Sequence, residues 1–133
     1  MIEKAKKILV IDDEPEILDV TRKRLEAAGF KVVTAETGLD GLKKARSEKP
    51  DLIVLDLILP GLSGYQICAM LKGDQNYREI PILMLSARSQ ENDVKEGMRV
   101  GAEAYMMKPC DAKDFIAKVQ ELLNEAASKR SVK

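Results

Sequence analysis

Asp12-Asp13, Asp56, Ser86 and Lys108 are the residues of this chain whose types and placement could do chemistry. Each stands at the end of, or just past, a different short apolar run: Ile8-Leu9-Val10-Ile11, Leu52-Ile53-Val54-Leu55, Ile82-Leu83-Met84-Leu85 and Ala104-Tyr105-Met106-Met107. If these runs are parallel strands, their carboxyl ends share one edge of one sheet. Three carboxylates, a hydroxyl and an ammonium then converge, a group suited to a divalent cation and a phosphoryl group. Carboxylates crowded at a low-dielectric edge resist ionising together unless a cation joins them. The sequence contains no histidine. That absence removes Ser-His-Asp and Cys-His catalysis, His-ligated metals and phosphohistidine chemistry within the chain. Any metal must be held by oxygen, which favours a hard cation, Mg²⁺ or alternatively Mn²⁺.

Within this group Asp13 and Asp56 are the expected direct ligands, Asp12 acts through water, and the backbone carbonyl of Ile58 is a further donor. Taken alone, Asp12-Asp13 also suits a strand-end turn that caps a helix; Asp56 on a neighbouring strand is what favours the metal reading. Lys108 precedes Pro109, which pushes it to extended geometry, so its side chain can run along the sheet edge toward an anion. Ser86 alone would pass for a plain strand-end hydroxyl, and Tyr105 for a half-polar core filler on an edge strand.

The elements that must position these residues alternate strictly. The first strand is expected over Lys7 to Ile11. Pro15 suits a first helical turn, and Ile17, Leu18, Thr21, Leu25 and Ala28 follow at helical spacing up to Gly29. A second strand spans Phe30 to Ala35. Leu39, Leu42 and Ala45 mark a second helix, in which Gly41 costs about 1 kcal/mol against Ala. The third strand is expected over Asp51 to Asp56, a third helix around Tyr65, Cys68, Leu71 and Lys72, and the fourth strand over Ile80 to Ser86. Val94, Gly97 and Met98 mark a fourth helix and Glu103 to Met107 a fifth strand. Asp111 caps a last helix with the stripe Phe115, Val119, Leu122 and Leu123. Five strand–helix units in alternation predict an α/β fold: a doubly wound, five-stranded parallel sheet with five helices. The first, third and fourth strands are almost wholly apolar, as strands buried on both faces should be. The second and fifth are mixed, which suits edges. The strand order is therefore 2-1-3-4-5, whose switch point lies between the first and third strands, and ligands of open α/β sheets bind outside the carboxyl ends there.

At 133 residues the chain makes one domain. Lys+Arg and Asp+Glu balance at 22 each, so bulk charge argues for neither nucleic acid nor membrane. No apolar run approaches the roughly 20 residues of a membrane span, and the opening segment has no signal-peptide core, so a cytoplasmic location is expected. Cys68 and Cys110 lack CxxC spacing and read as small core fillers in a reduced compartment.

At these residues the chain resembles the receiver domains of two-component response regulators. The resemblance runs from Lys7 to Asn124. It is carried by Ile11-Asp12-Asp13-Glu14-Pro15, Pro50-Asp51-Leu52-Ile53-Val54-Leu55-Asp56, Leu59-Pro60-Gly61-Leu62-Ser63-Gly64, Pro81-Ile82-Leu83-Met84-Leu85-Ser86-Ala87, Gly101-Ala102-Glu103-Ala104-Tyr105 and Lys108-Pro109. It implies a flavodoxin-like receiver fold over 1–125, with a basic tail or linker start at 126–133. It makes Asp56 the phosphoryl acceptor, Asp12 and Asp13 the acidic Mg²⁺ pocket, and Lys108 the phosphoryl contact. Ser86 becomes the hydroxyl that moves toward the phosphoryl group, Tyr105 the rotating switch aromatic, and Lys108-Pro109 a cis peptide. The implied donor is the phosphohistidine of a sensor histidine kinase or a histidine phosphotransfer protein. The implied outputs are a downstream protein or an output domain, read out through the fourth helix, fifth strand and fifth helix, with no direct nucleic-acid or membrane binding. A phosphorylation-dependent homodimer is left open. The domain would act on its own phosphoryl group only, not as an enzyme on other substrates. Cys110 departs from the Phe that often follows Lys-Pro, and Ile58 and Arg88 stand where side chains tune phosphoryl loss.

Three rival readings meet the same residues. A flavodoxin-type cofactor module needs a hydroxyl- and Gly-rich phosphate loop after the first strand, where this chain has Asp12-Asp13-Glu14. A haloacid-dehalogenase-type phosphatase needs Asp-x-Asp there. A receiver-like module that only binds partners would not need the intact acidic set.

Overall fold

The computed structural model describes residues 5–87 and 91–131; Arg88 lies outside them. Strands and helices alternate along the chain: β1 (Lys7–Ile11), α1 (Pro15–Ala27), β2 (Lys31–Ala35), α2 (Gly38–Glu48), β3 (Leu52–Leu55), α3 (Gly64–Lys72), β4 (Ile82–Ser86), α4 (Glu91–Arg99), β5 (Ala104–Met107) and α5 (Ala112–Ser131). The strands form one parallel sheet in the order β2-β1-β3-β4-β5. β3 and β4 are buried throughout and β1 from Ile8 on, whereas β2 and β5 are only partly covered. The unbroken apolar runs are thus the inner strands, and the mixed ones are the edges.

Successive strand residues point to opposite faces of a sheet, and two cores follow from that alternation. Leu9, Ile11, Ile53, Leu55, Ile82 and Met84 pack with Leu42 and Ala45 of α2 and with Ile67, Cys68 and Leu71 of α3. Ile8, Val10, Leu52, Val54, Leu83 and Leu85 pack with Leu18 and Leu25 of α1 and with Phe115, Val119 and Leu122 of α5. Full burial of one such side chain is worth roughly 1.5–3 kcal/mol.

The helices begin where local chemistry starts them. Pro15 opens α1 and Gly29, at φ 95°, follows its end. Thr37 Oγ1 accepts the Asp40 amide at the start of α2. Ser63 and Gln66 form a reciprocal capping box at α3. Asp111 Oδ1 accepts from the Lys113 amide at α5, as expected of its cap.

Some positions differ from expectation. The ladder of β3 ends at Leu55, leaving Asp51 and Asp56 outside it, and Phe30, Ile80 and Glu103 likewise flank their strands. Ala28 is exposed. Leu39 is 55% exposed, and Gly38, Gly41, Leu42 and Ala45 make the buried side of α2. Gly41 is there because α2 lies directly on β1: a Cβ would stand 2.5 Å from Ile11 Cδ1. The close approach offsets the helix penalty. On α4, Met98 is exposed and Gly97 is buried. α5 runs without a break past residue 125 to Ser131, with Ala126 buried. No described helix is long and apolar enough to cross a membrane.

Candidate functional site at the carboxyl edge of the sheet

Backbone pairing continues one step past the strands and pins the site residues. The Asp12 amide donates to Ala35 O at 3.1 Å, the Asp56 amide to Ile11 O at 2.9 Å, and the Lys108 amide to Ser86 O at 2.8 Å. Asp12 and Asp56 thus emerge side by side from β1 and β3, at the switch point. Pro109 follows Lys108 through a cis peptide bond. Gly64 brings the start of α3 against the Asp56–Leu57 backbone: its amide donates to Leu57 O at 2.8 Å. A Cβ there would overlap Asp56 O and stand 2.9 Å from Leu57 Cα.

The side chains meet. Lys108 Nζ donates to Asp12 Oδ2 at 2.6 Å and to Asp56 Oδ2 at 3.2 Å, and lies 4.0 Å from Glu14 Oε1. Asp12 is 4% exposed and Asp56 6%; Asp13 and Glu14 face solvent. Asp12 Oδ1 also accepts the Glu14 amide at 3.0 Å, which folds the turn back over the site.

The electrostatics follow from that geometry. Burial pushes the Asp56 carboxyl above its ordinary range; Lys108 opposes the rise, Asp12 adds to it, and a hydrogen bond from the Ile58 backbone opposes it. Burial works against the Lys108 ammonium, but the Asp12 hydrogen bond and the charges of Asp56 and Asp12 outweigh it, so its pKa is raised. Lys108 therefore stays a cation, and Asp56 ionises against resistance that a further cation would relieve.

The carboxyl oxygens of Asp12, Asp13, Glu14 and Asp56 lie within 4.8 Å of one another. An all-oxygen, multiply anionic set fits a hard divalent cation. Asp12, Asp13 and Asp56 come together as the sequence predicts; Glu14 was missed. Its one sequence signal is its place directly after Asp12-Asp13, and it opens α1 rather than ending a strand. Ile58 sits beside the site with its side chain 52% exposed.

Ser86 and Tyr105 belong to β4 and β5. Ser86, 1% exposed, ends β4 opposite Met107. Continuing the Leu55↔Met84 register puts it one residue past the level of Asp56. By alternation Ser86 shares the face of Ile82 and Met84. Tyr105 packs on that core too, the side that α3 and α4 cover. The same alternation puts Asp12, Asp56 and Lys108 in phase with the core under α1 and α5. A groove of about 310 Å³ opens beside Lys108, between α1 (Ile17, Val20, Arg24) and the Pro109–Cys110 loop. Arg24 spans it to donate to Cys110 O at 3.0 Å.

The profile of a family described as "Response regulator receiver domain" matches residues 8–120. The chain is 45% identical over 121 residues to the alkaline phosphatase synthesis transcriptional regulatory protein PhoP of Bacillus subtilis, covering 91% of this chain and 50% of that protein. It is 36% identical over 117 residues to Protein PilH of Pseudomonas aeruginosa, covering 88% of this chain and 97% of that one. The chain spans about half the length of PhoP and of the similar Synechocystis regulator RpaA. Among solved structures, a CheY-like response regulator receiver domain protein from Methanospirillum hungatei superposes with a TM-score of 0.89 at 29% identity, over 95% of this chain and 99% of that one.

Proposed function

The chain belongs to the response regulator receiver domain family of two-component systems, and from that premise we propose that it is a phospho-accepting switch whose acceptor is Asp56. The observation that carries the reading is the bridge that Lys108 Nζ makes between Asp12 and Asp56 at a buried edge. A cation held there by two carboxylates is placed to follow the negative charge when Asp56 takes up a phosphoryl group.

The donor is a phosphohistidine of a sensor histidine kinase or a histidine phosphotransfer protein, since the chain has no histidine of its own. One Asp56 oxygen forms a bond to phosphorus in line with the leaving imidazole. The phosphorus–nitrogen bond breaks, and its electron pair stays with the donor ring. Such a transfer asks mainly for positioning and charge neutralisation. Lys108 Nζ supplies a charged hydrogen bond to a phosphoryl oxygen, and Ser86 Oγ donates to another. Mg²⁺, or Mn²⁺, held by Asp13, Asp56 and the Ile58 carbonyl, with Asp12 acting through water, would neutralise the remaining phosphoryl charge.

The product is an acyl phosphate with close to two negative charges. Ser86, drawn toward it, vacates space on the α4 face that the Tyr105 ring can occupy. The charged half of the site and the Ser86–Tyr105 half lie on opposite faces of the sheet, so Ser86 is where the signal crosses. The outcome is a population shift of the α4–β5–α5 surface toward a downstream protein, an output domain or a second copy. The domain turns over no other substrate.

The test is the intact mass after acetyl phosphate, with Mg²⁺ or with a chelator. A gain of one phosphoryl group that needs the divalent ion and disappears in Asp56→Asn is expected. Undiminished labelling of Asp56→Asn refutes the acceptor.

A further inference from the structure

We infer that Arg24, a residue of α1 outside the charged site, is a positioning residue for Lys108: its guanidinium ties the loop that follows Lys108 to α1 and so aims the ammonium at Asp56. The inference deepens the reading of Lys108 as the phosphoryl contact and rests on it.

Arg24 stands in the last turn of α1. It follows Ile17, Val20 and Thr21 at helical spacing, so the four form one stripe of that helix. The stripe walls the groove whose other side is Lys108, Pro109 and Cys110. From it Arg24 Nη1 reaches across to donate to Cys110 O at 3.0 Å. A hydrogen bond from a guanidinium is among the stronger kinds. The guanidinium faces the Cys110 side chain as well: burial pushes that thiol up, and the charge of Arg24 opposes the rise.

The loop needs such a tie. On its near side the Lys108 amide donates to Ser86 O at 2.8 Å. Pro109 has no N–H to give and faces solvent. Cys110 is a small side chain, half-buried against the core under α1 and α5. The next described tie along the chain is therefore Arg24 on Cys110 O, before Asp111 opens α5 by accepting the Phe115 amide at 3.0 Å. In the resting chain Lys108 Nζ is also held at its tip, by Asp12 and Asp56. An ammonium that follows charge onto a phosphoryl oxygen gives up part of that hold. The backbone on either side of Pro109 then decides where it can reach, and small misplacements of a reacting group are costly. Loss of Arg24 should thus weigh on transfer more than on the resting fold.

Two measurements on the full chain test the tie. The first needs no phosphoryl chemistry: amide hydrogen exchange, read residue by residue by NMR, in the native chain and in Arg24→Ala. Protection of the Lys108 amide is expected to fall about tenfold, roughly the worth of one hydrogen bond to a charged group. Protection of the Asp56 amide, bonded to Ile11 O at 2.9 Å, should hold. Unchanged protection at Lys108, or an equal fall at both amides, overturns the tie. The second is the rate of labelling by acetyl phosphate with Mg²⁺ around a cycle of Arg24→Ala, Lys108→Met and the double variant. Arg24→Ala alone is expected to slow labelling about tenfold. Once Lys108 is gone it should slow labelling no further, because residues that act through one group are not additive. The same factor in both backgrounds overturns the positioning role and leaves Arg24 a packing residue. Failure of the native chain to take up a phosphoryl group overturns the acceptor reading instead, and the exchange measurement then decides the tie.

Discussion

Replacing Asp56 by Asn is expected to stabilise the fold in the absence of divalent cations. The carboxyl oxygens of the acidic set lie within 4.8 Å of one another. At an effective dielectric of about 20, repulsion between two unit charges at that distance is about 3.5 kcal/mol. The attraction of Lys108, 3.2 Å away, is about 5 kcal/mol on the same scale. Burial opposes the charge as well and is the largest influence on Asp56; the raised pKa says that folding shifts the balance toward the neutral form. Asn keeps the shape, removes the repulsion and leaves Lys108 paired with Asp12 at 2.6 Å. A net gain of about 1–2 kcal/mol is expected, which corresponds to roughly 3–10 °C in Tm for a chain of this size. The pH dependence has a definite sign. A carboxyl whose pKa is raised by folding holds its proton more tightly in the native state, so native stability falls as pH rises from the ordinary value of 3.8 through the raised one. The advantage of Asn is therefore absent below that window and grows as pH rises through it. Adding Mg²⁺ reverses the comparison: cation at about 100 times its Kd adds about 2.7 kcal/mol to whichever chain binds it, and the native chain binds better. Calorimetric melts at about pH 3 and pH 7, with and without Mg²⁺, check all of this. An Asp56→Asn chain less stable than the native one at pH 7 without cation would refute the reasoning from burial and repulsion.

Lys108→Met should still fold, because Asp12 and Asp56 can share a divalent ion. Its rate of labelling by acetyl phosphate should drop by about 10²–10³, as when one charge-stabilising donor is removed from a reacting site; an unchanged rate would remove Lys108 from the chemistry. Gly64→Ala forces a methyl into the Asp56–Leu57 backbone and should cost about 1–3 kcal/mol, visible as a lower midpoint in urea and slower labelling; a neutral substitution would mean that α3 does not press on the acceptor loop. Alkylation by iodoacetamide should reach Cys110 well before Cys68 in the native chain. The Cys68 thiol is fully buried and pushed up to about 11 by that burial, so peptide mapping that found Cys68 modified first would contradict the packing of α3.

How much of this was legible in the sequence depends on the range of the signal. The inner strands declared themselves because burial on both faces demands unbroken apolar runs, and the mixed runs at Lys31–Ala35 and Ala104–Met107 marked the edges. Strand order followed, and with it the meeting of Asp12, Asp56 and Lys108. The helices were harder. Leu39 looked like core and is exposed, while the glycines that look like defects, Gly41 and Gly97, sit where a Cβ would press on Ile11 and on Tyr105. Helical spacing reports which side of a helix is apolar, and a close approach replaces apolar bulk with none. The anchor of Lys72 to Glu103 joins residues 31 apart with nothing local to announce it. Glu14 escaped because its side chain turns back over Asp12-Asp13 only once the loop into α1 is formed. The division of the site between two faces needs the parity of each strand, which the strand boundaries fix.

The most direct measurement is the position of the phosphoryl group itself. After treatment with acetyl phosphate and Mg²⁺, borohydride reduces an acyl phosphate to an alcohol and marks the acceptor, which peptide mass spectrometry then locates. The mark is expected at residue 56 alone and only when the divalent ion is present. A mark at Asp12 or Asp13, or a phosphoryl group that resists reduction because it sits on a hydroxyl such as Ser86, would contradict it.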